Sequence, residues 1–282
     1  MSGSYGIVID ELRICYTAKD DALNNFKNLE VGKYIDIDLY RFYRITNDRY
    51  KYFFHIVEDG EPVAQMKFDM YTETADTHFV FYKIENRVLY DCEWLQDVLT
   101  LPESLGMTLN NYTAVDLACD SSINISSFIK RMMRDKSVTT IINRKAVKDR
   151  KNVLEGVFFE YSTSLDRLKY PTITIQQKKA IHNKSEGITV QAYDKRAEIL
   201  NHSHKDYILN NYGNPKKLYR LEVRLHYQEL KDYFSIVKSV PAPVDILNQE
   251  FLNNMFFYHL YTVIRFTRGR HKINWTGILK MQ

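Results

Sequence analysis

A chain of 282 residues, 45% of them hydrophobic and 26% charged, can bury a substantial core and is not an intrinsically disordered polypeptide. Its 39 Lys and Arg against 35 Asp and Glu leave a net charge of +4 and a pI near 8.7, a mild bias towards a polyanionic partner that decides nothing alone. Cys15, Cys92 and Cys119 form neither a zinc pattern nor a disulfide framework, the N-terminus lacks a signal-peptide pattern, and no run reaches the roughly 18 to 20 apolar residues of a membrane span, so a cytoplasmic protein without a membrane partner is expected.

The first 90 residues read mostly as antiparallel sheet. Tyr5 to Thr17 begins as an alternating strand with a phase slip near Asp10 and Glu11. Two aromatic strands lie within residues 40–57, around a turn at Thr46-Asn47-Asp48, and Glu58-Asp59-Gly60 turns into a third near Val63 to Met70. His78 to Ile84 is the next strand. The 21 Tyr and 15 Phe suit such sheets, and base stacking is a second use for any that lie on the surface.

A helix is predicted from Cys92 to Leu99, ending before Pro102, and a strand from Tyr112 to Asp120. Ser126 is predicted to cap a helix running to Arg134. Strands follow near Val138 to Ile142 and Val157 to Ser162, separated by the strongly basic stretch Asn143 to Lys151. Ile188 to Lys195 and Leu218 to His226 are two more strands, joined by a polar loop with Gly213-Asn214-Pro215. After Pro241 and Pro243 the chain reads as an apolar helix from Ile246 to Phe266, then a basic tail. Hairpins outnumber crossovers, which argues for an α+β fold with a central antiparallel sheet and flanking helices. The expected domains are 1–240, catalytic, and 241–282, a helical extension.

Three strands carry polar residues at two-residue spacing, which places them on one face. These are Asp116 and Asp120 on the first, Gln191, Tyr193 and Lys195 on the second, and Arg220, Glu222, Arg224 and His226 on the third. Each alone reads as the wet side of a half-buried sheet. Together they supply acidic oxygens for a hard divalent cation, a phenol that can act as nucleophile, and cations to neutralise a phosphate. A phenol with an ordinary pKa near 10 needs help at neutral pH, which a polarising metal and a nearby ammonium such as Lys195 would provide.

The segments Tyr112-Thr-Ala-Val-Asp-Leu-Ala-Cys-Asp120, Ala192-Tyr-Asp-Lys-Arg-Ala-Glu198 and Tyr219-Arg-Leu-Glu-Val-Arg-Leu225 resemble, in order and spacing, the motifs of the Rep_trans family of rolling-circle replication initiators. Gly156 to Ser162 resembles the strand before that family's tyrosine motif, without its usual glycine-containing ending, and Ile188-Thr189 stands where an aromatic residue usually opens the nucleophile strand. The resemblance covers roughly residues 5–235. It implies an HUH-nickase-like fold and a metal-dependent tyrosine DNA endonuclease that nicks one strand at an origin, Tyr193 becoming linked to the 5′ phosphate. It further implies Mg²⁺ or Mn²⁺ held by Asp116, Asp120 and Glu222, with Lys195, Arg220 and Arg224 supporting the phosphate, although Arg220 and Arg224 are equally suited to salt-bridge Asp116 or Glu222.

The partners implied are an origin hairpin with a single-stranded nick site, a host helicase and polymerase, and a second copy of the chain. The chain carries no Walker-type phosphate loop of its own. Arg144, Lys145, Lys148 and Lys151 are candidate DNA contacts, as is the tail from Arg265 to Lys272. His202 and His204 are weak candidates for a metal, and His226 a better one. The competing readings are a relaxase of a conjugative or mobilisable element and a non-catalytic origin-binding protein.

Overall fold

The computed structural model describes residues 6–70, 78–146, 157–161, 171–177 and 187–280. Its strands are β1 (Ile7–Ala18), β2 (Tyr34–Ile37), β3 (Tyr40–Ile45), β4 (Tyr50–Glu58), β5 (Glu61–Met70), β6 (His78–Ile84), β7 (Thr108–Ser121), β8 (Val138–Ile142), β9 (Lys145–Ala146), β10 (Val157–Tyr161), β11 (Pro171–Gln176), β12 (Thr189–Asp194), β13 (Tyr219–His226), β14 (Ile264–Arg268) and β15 (His271–Ile273). Its helices are α1 (Asp20–Lys27), α2 (Cys92–Ser104), α3 (Ile125–Arg134), α4 (Lys195–Glu198), α5 (Asp206–Asn211), α6 (Tyr227–Val237), α7 (Gln249–Val263) and α8 (Trp275–Lys280). The protein is thus α+β, with extensive antiparallel sheet and flanking helices.

The chain forms two compact units, and they do not divide at Pro241. One comprises residues 9–115 and 230–248; the other comprises 1–8, 116–229 and 249–282. The expected C-terminal extension is therefore split between them. Long-range pairing is the reason: β14, inside the expected extension, pairs antiparallel with β8, Phe266 opposite Thr140. The predicted helix from Ile246 to Phe266 accordingly stops at Val263, and the basic tail is the β14–β15 hairpin, turned at Gly269 with φ +57°.

In the 9–115 unit, β3 to β6 form an antiparallel meander with β2 at one edge and β1 beyond β6. The turn expected at Glu58-Asp59-Gly60 joins β4 to β5 and places Asp59 and Gly60 both at positive φ, the primed hairpin geometry. β1 shows the expected phase slip: Ile7 and Ile9 are buried, then Leu12, Ile14 and Tyr16. The helix predicted to end before Pro102 instead runs on to Ser104 with Pro102 inside it. A helical proline removes the donor that would serve the carbonyl four residues back. Here that carbonyl, on Val98, accepts a hydrogen bond from the buried Tyr82 hydroxyl at 3.1 Å, so no acceptor is stranded.

In the other unit, β10, β11, β12, β13 and the end of β7 lie side by side in that order. Directly opposed residues share a face, so the register sorts the side chains into two sets. Ile173 faces Ala192, Ile175 faces Val190, and these continue to Leu221 and Val223, all buried. α3 and α7 pack across these strands. A smaller sheet, in order β15, β14, β8, β9, packs through Phe266 against Phe128 of α3 and Trp275 of α8. Trp275 is fully buried and donates its indole N–H to the Ile264 carbonyl at 3.1 Å.

Candidate functional site

The second set of the same register is polar. Thr174 lies opposite Gln191, Gln191 opposite Glu222, Tyr193 opposite Arg220, and Thr189 opposite Arg224. The two polar faces expected from β12 and β13 are therefore one surface, with Tyr193 diagonal to Glu222. The Tyr193 hydroxyl donates to Glu222 Oε2 at 2.8 Å. The other oxygen, Oε1, accepts from Arg224 Nε at 2.6 Å, and the same nitrogen lies 3.4 Å from Asp116 Oδ2 on β7. Tyr193, Glu222, Arg224 and Asp116 thus form one linked cluster.

Its members differ in access to solvent. Glu222 is 1% exposed and Asp116 9%, whereas the Arg224 side chain is 42% exposed. Burial works against the charge of the guanidinium, but Glu222 and then Asp116 outweigh it and raise the Arg224 pKa further above its ordinary value. The arginine is the cationic lid over two converging carboxylates.

A second cluster absorbs the remaining acidic and basic residues of these strands. Asp120 and Arg220, both 0% exposed, form a forked ion pair with Nε to Oδ1 at 2.7 Å and Nη2 to Oδ2 at 2.6 Å. Tyr212, after α5, donates its hydroxyl to Asp120 Oδ2 at 3.1 Å, and burial first, then Asp120, pushes the Tyr212 pKa well up. Next to it Cys119 is a buried free thiol with its pKa pushed up to about 12, mainly by burial.

These positions bear on the expected ligand set. A hard divalent cation takes one or two carboxylates plus water and phosphate oxygens. Asp116 and Glu222 fit that requirement, because both already converge on one cationic group at a partly open position. Asp120 does not fit: both its oxygens are taken by strong donors in a buried forked pair. Arg220 likewise points its fork at Asp120 and not at solvent. Among the described residues no group of three or more His, Cys, Asp and Glu side chains is arranged as a ready-made metal cage.

Lys195 leaves the expected strand face. β12 ends at Asp194, whose side chain caps α4 by accepting from the Ala197 N–H at 2.8 Å, and Lys195 is the first helical residue. Its ammonium, 3% exposed, pairs with Glu198 at 2.9 Å and lies 5.8 Å from the centroid of the Tyr193 ring. Burial, its largest influence, raises the Asp194 pKa above the ordinary carboxylate value.

Ser126 was expected as a helix cap. The cap is Asn124, whose Oδ1 accepts from the Ser127 N–H at 2.9 Å. Ser126 instead donates to the Ala192 carbonyl at 2.9 Å and ties α3 to the residue before Tyr193. Neither this contact of Ser126 nor the place of Tyr212 beside Asp120 is legible in the sequence; a buried hydroxyl's target depends on which strand arrives beside it, and no local pattern reports that.

Of the proposed DNA contacts, Arg144 and Lys145 are exposed at the β8–β9 turn, where Asn143 and Arg144 both have positive φ. Lys148 and Lys151 lie outside the described residues. His202 and His204 are exposed beyond α4, and His226 ends β13. No helix among the described residues is long and apolar enough to cross a membrane. Comparison of the chain with protein-family profiles, with curated proteins and with solved structures found no match.

Proposed function

We propose that this chain cuts one strand of DNA by transesterification onto Tyr193, as a replication initiator of the HUH-nickase type. The observation that carries the reading is the hydrogen bond from the Tyr193 hydroxyl to Glu222, within a cluster that also holds Asp116 and an arginine able to face a phosphate.

A phenol becomes a useful nucleophile when a base takes its proton as it attacks. Glu222, at 2.8 Å, is placed to take it. The tyrosine oxygen attacks phosphorus, the bond from phosphorus to the 3′ oxygen breaks, and that oxygen leaves as a hydroxyl with a proton from water, Glu222 returning its own proton to solvent. A 5′-phosphotyrosine remains and keeps the bond energy for rejoining. Arg224 neutralises charge on the non-bridging oxygens once it turns from the carboxylates towards the strand. Asp116 and Oε1 of Glu222, the oxygen turned away from Tyr193, would hold Mg²⁺ or Mn²⁺, which would supply further polarisation of the phosphorus. Lys195 lies beside the ring, and its charge is largely offset by Glu198, so it serves to hold the end of β12.

The experiment incubates the protein with Mn²⁺ and single-stranded and supercoiled DNA from its own genetic neighbourhood, and runs a denaturing gel. A protein–DNA adduct is expected, absent in Tyr193→Phe and slowed about 10² to 10⁴-fold in Glu222→Gln with DNA binding retained. Binding without an adduct on any of these substrates would replace the reading with that of a non-catalytic origin binder.

A further inference from the structure

The smaller sheet and α3 bring together three basic segments that are far apart in sequence. α3 and the turn after it carry Lys130, Arg131, Arg134 and Lys136; the β8–β9 turn carries Arg144 and Lys145; the β14–β15 hairpin carries Arg265, Arg268, Arg270 and Lys272. Within 125–146 and 264–273 the only acidic residue is Asp135. Ten of the chain's 39 Lys and Arg but one of its 35 Asp and Glu therefore sit here, leaving 29 against 34 elsewhere. The positive balance of the protein resides in this module, and the rest of the chain is net acidic.

The module has a shape that suits a polyanion. Ser127, Lys130, Arg131, Arg134 and Asp135 line an open concavity of about 530 Å³ on α3. Asp135 is bonded by Arg268 at 3.1 Å, which joins the concavity to the hairpin. On the smaller sheet, Arg265 lies opposite Ile141 and Thr267 opposite both Thr139 and Lys272, so Thr139, Arg265, Thr267 and Lys272 share the face away from the buried Phe266. Lys, Arg and hydroxyl side chains are the usual contacts to DNA phosphates. Single-strand platforms also need exposed rings for bases to stack on. The Phe, Tyr or Trp rings of these segments are Phe128 and Phe266, which pack edge-on against each other and both lie against Trp275. The surface is built for a backbone, not for bases.

We propose that the α3–β8–β14–β15 module anchors double-stranded DNA through its phosphates, without reading sequence. That this duplex is the arm flanking the cut rests on the nickase reading; the binding itself does not. α3 is tied through Ser126 to the Ala192 carbonyl, so an anchored duplex bears on the strand that carries Tyr193.

The test measures the affinity of the full chain for a labelled duplex of arbitrary sequence by fluorescence anisotropy across a salt series. Wild type is compared with Arg131→Gln, Arg134→Gln, Arg265→Gln and Lys272→Gln combined, all four being exposed positions. The expected result is at least about a tenfold loss of affinity and a log–log salt slope shallower by about 3 to 4, near 0.9 per lost phosphate contact. Should the combined variant fail to fold, Arg265→Gln with Lys272→Gln alone is expected to reduce the slope by about 2. An unchanged slope overturns the proposal, as does tighter binding of oligothymidylate than of duplex through the same cations. Adduct formation by the unaltered protein is scored separately. A slope change without any adduct keeps the anchor and sinks the cutting reading; an adduct without a slope change does the reverse.

Discussion

Arg220→Met would expose the structural role of the pair it forms. Asp120 would keep one donor, the Tyr212 hydroxyl at 3.1 Å, and lose two at 2.7 and 2.6 Å while remaining fully buried. At an effective dielectric of about 20, two unit charges about 4 Å apart attract by about 4 kcal/mol, a gain largely consumed by stripping water from both. The intact pair is therefore close to neutral in net stability, whereas an orphaned buried carboxylate costs about 3 to 5 kcal/mol. Urea denaturation followed by circular dichroism should show that loss for Arg220→Met. Adding Asp120→Leu to Arg220→Met should recover most of that loss, because no charge is then left buried and only the Tyr212 hydroxyl, at a cost of about 1 to 3 kcal/mol, lacks its acceptor. Mn²⁺ should not rescue the single variant. A single-variant loss below about 1 kcal/mol, a double variant as unstable as the single, or rescue by Mn²⁺ would refute the reasoning and return Asp120 to the metal set.

Other perturbations separate the parts of the site. Arg224→Met removes the cation that Asp116 and Glu222 now share, so Mn²⁺ titrated calorimetrically should bind on the order of tenfold more tightly, and adding Asp116→Asn should abolish the gain. Ser126→Ala removes a buried hydrogen bond to the Ala192 carbonyl, at a cost of about 1 kcal/mol in the same denaturation assay, and should speed amide exchange along β12. Asp194 has its pKa raised by burial, so its ionisation is harder in the folded than in the unfolded state, and its contribution to stability falls as pH rises from the ordinary carboxylate value through the folded one. Asp194→Asn keeps a good helix cap without that penalty, and should gain stability relative to wild type as pH rises through this window, measured by thermal melts at each pH.

Much of the site was legible because a strand's polar face is written at two-residue spacing. Tyr193, Glu222 and Arg224 were each placed on a polar face from sequence, and the β12–β13 register puts those faces on one side. What spacing does not contain is the pairing of charges across strands. Asp116 and Asp120 look alike in β7, yet one meets the partly open Arg224 and the other the buried Arg220 together with the distant Tyr212 hydroxyl. Lys195 continues the alternation of β12, but Asp194 has a side chain that accepts from Ala197 N–H, so the cap wins and the strand ends one residue early. Beyond Val263 an apolar run suited to a helix turns into β14, because β8 offers an edge to pair with and β-branched residues at Ile264 and Thr267 accept it. Pro102 was read as a stop, and Tyr82 supplied the donor the helix lacked. Apart from the Asp194 cap, none of these partners is local in sequence.

If Tyr193 is the nucleophile, the covalent bond to DNA can be located on it. After reaction with cognate single-stranded DNA and Mn²⁺, the protein is digested with nuclease and protease and its peptides are weighed by mass spectrometry. A nucleotide 5′ phosphate on the peptide containing Tyr193, lost in Tyr193→Phe, is the predicted result. An adduct on another tyrosine, or one that persists in the Phe variant, would contradict it.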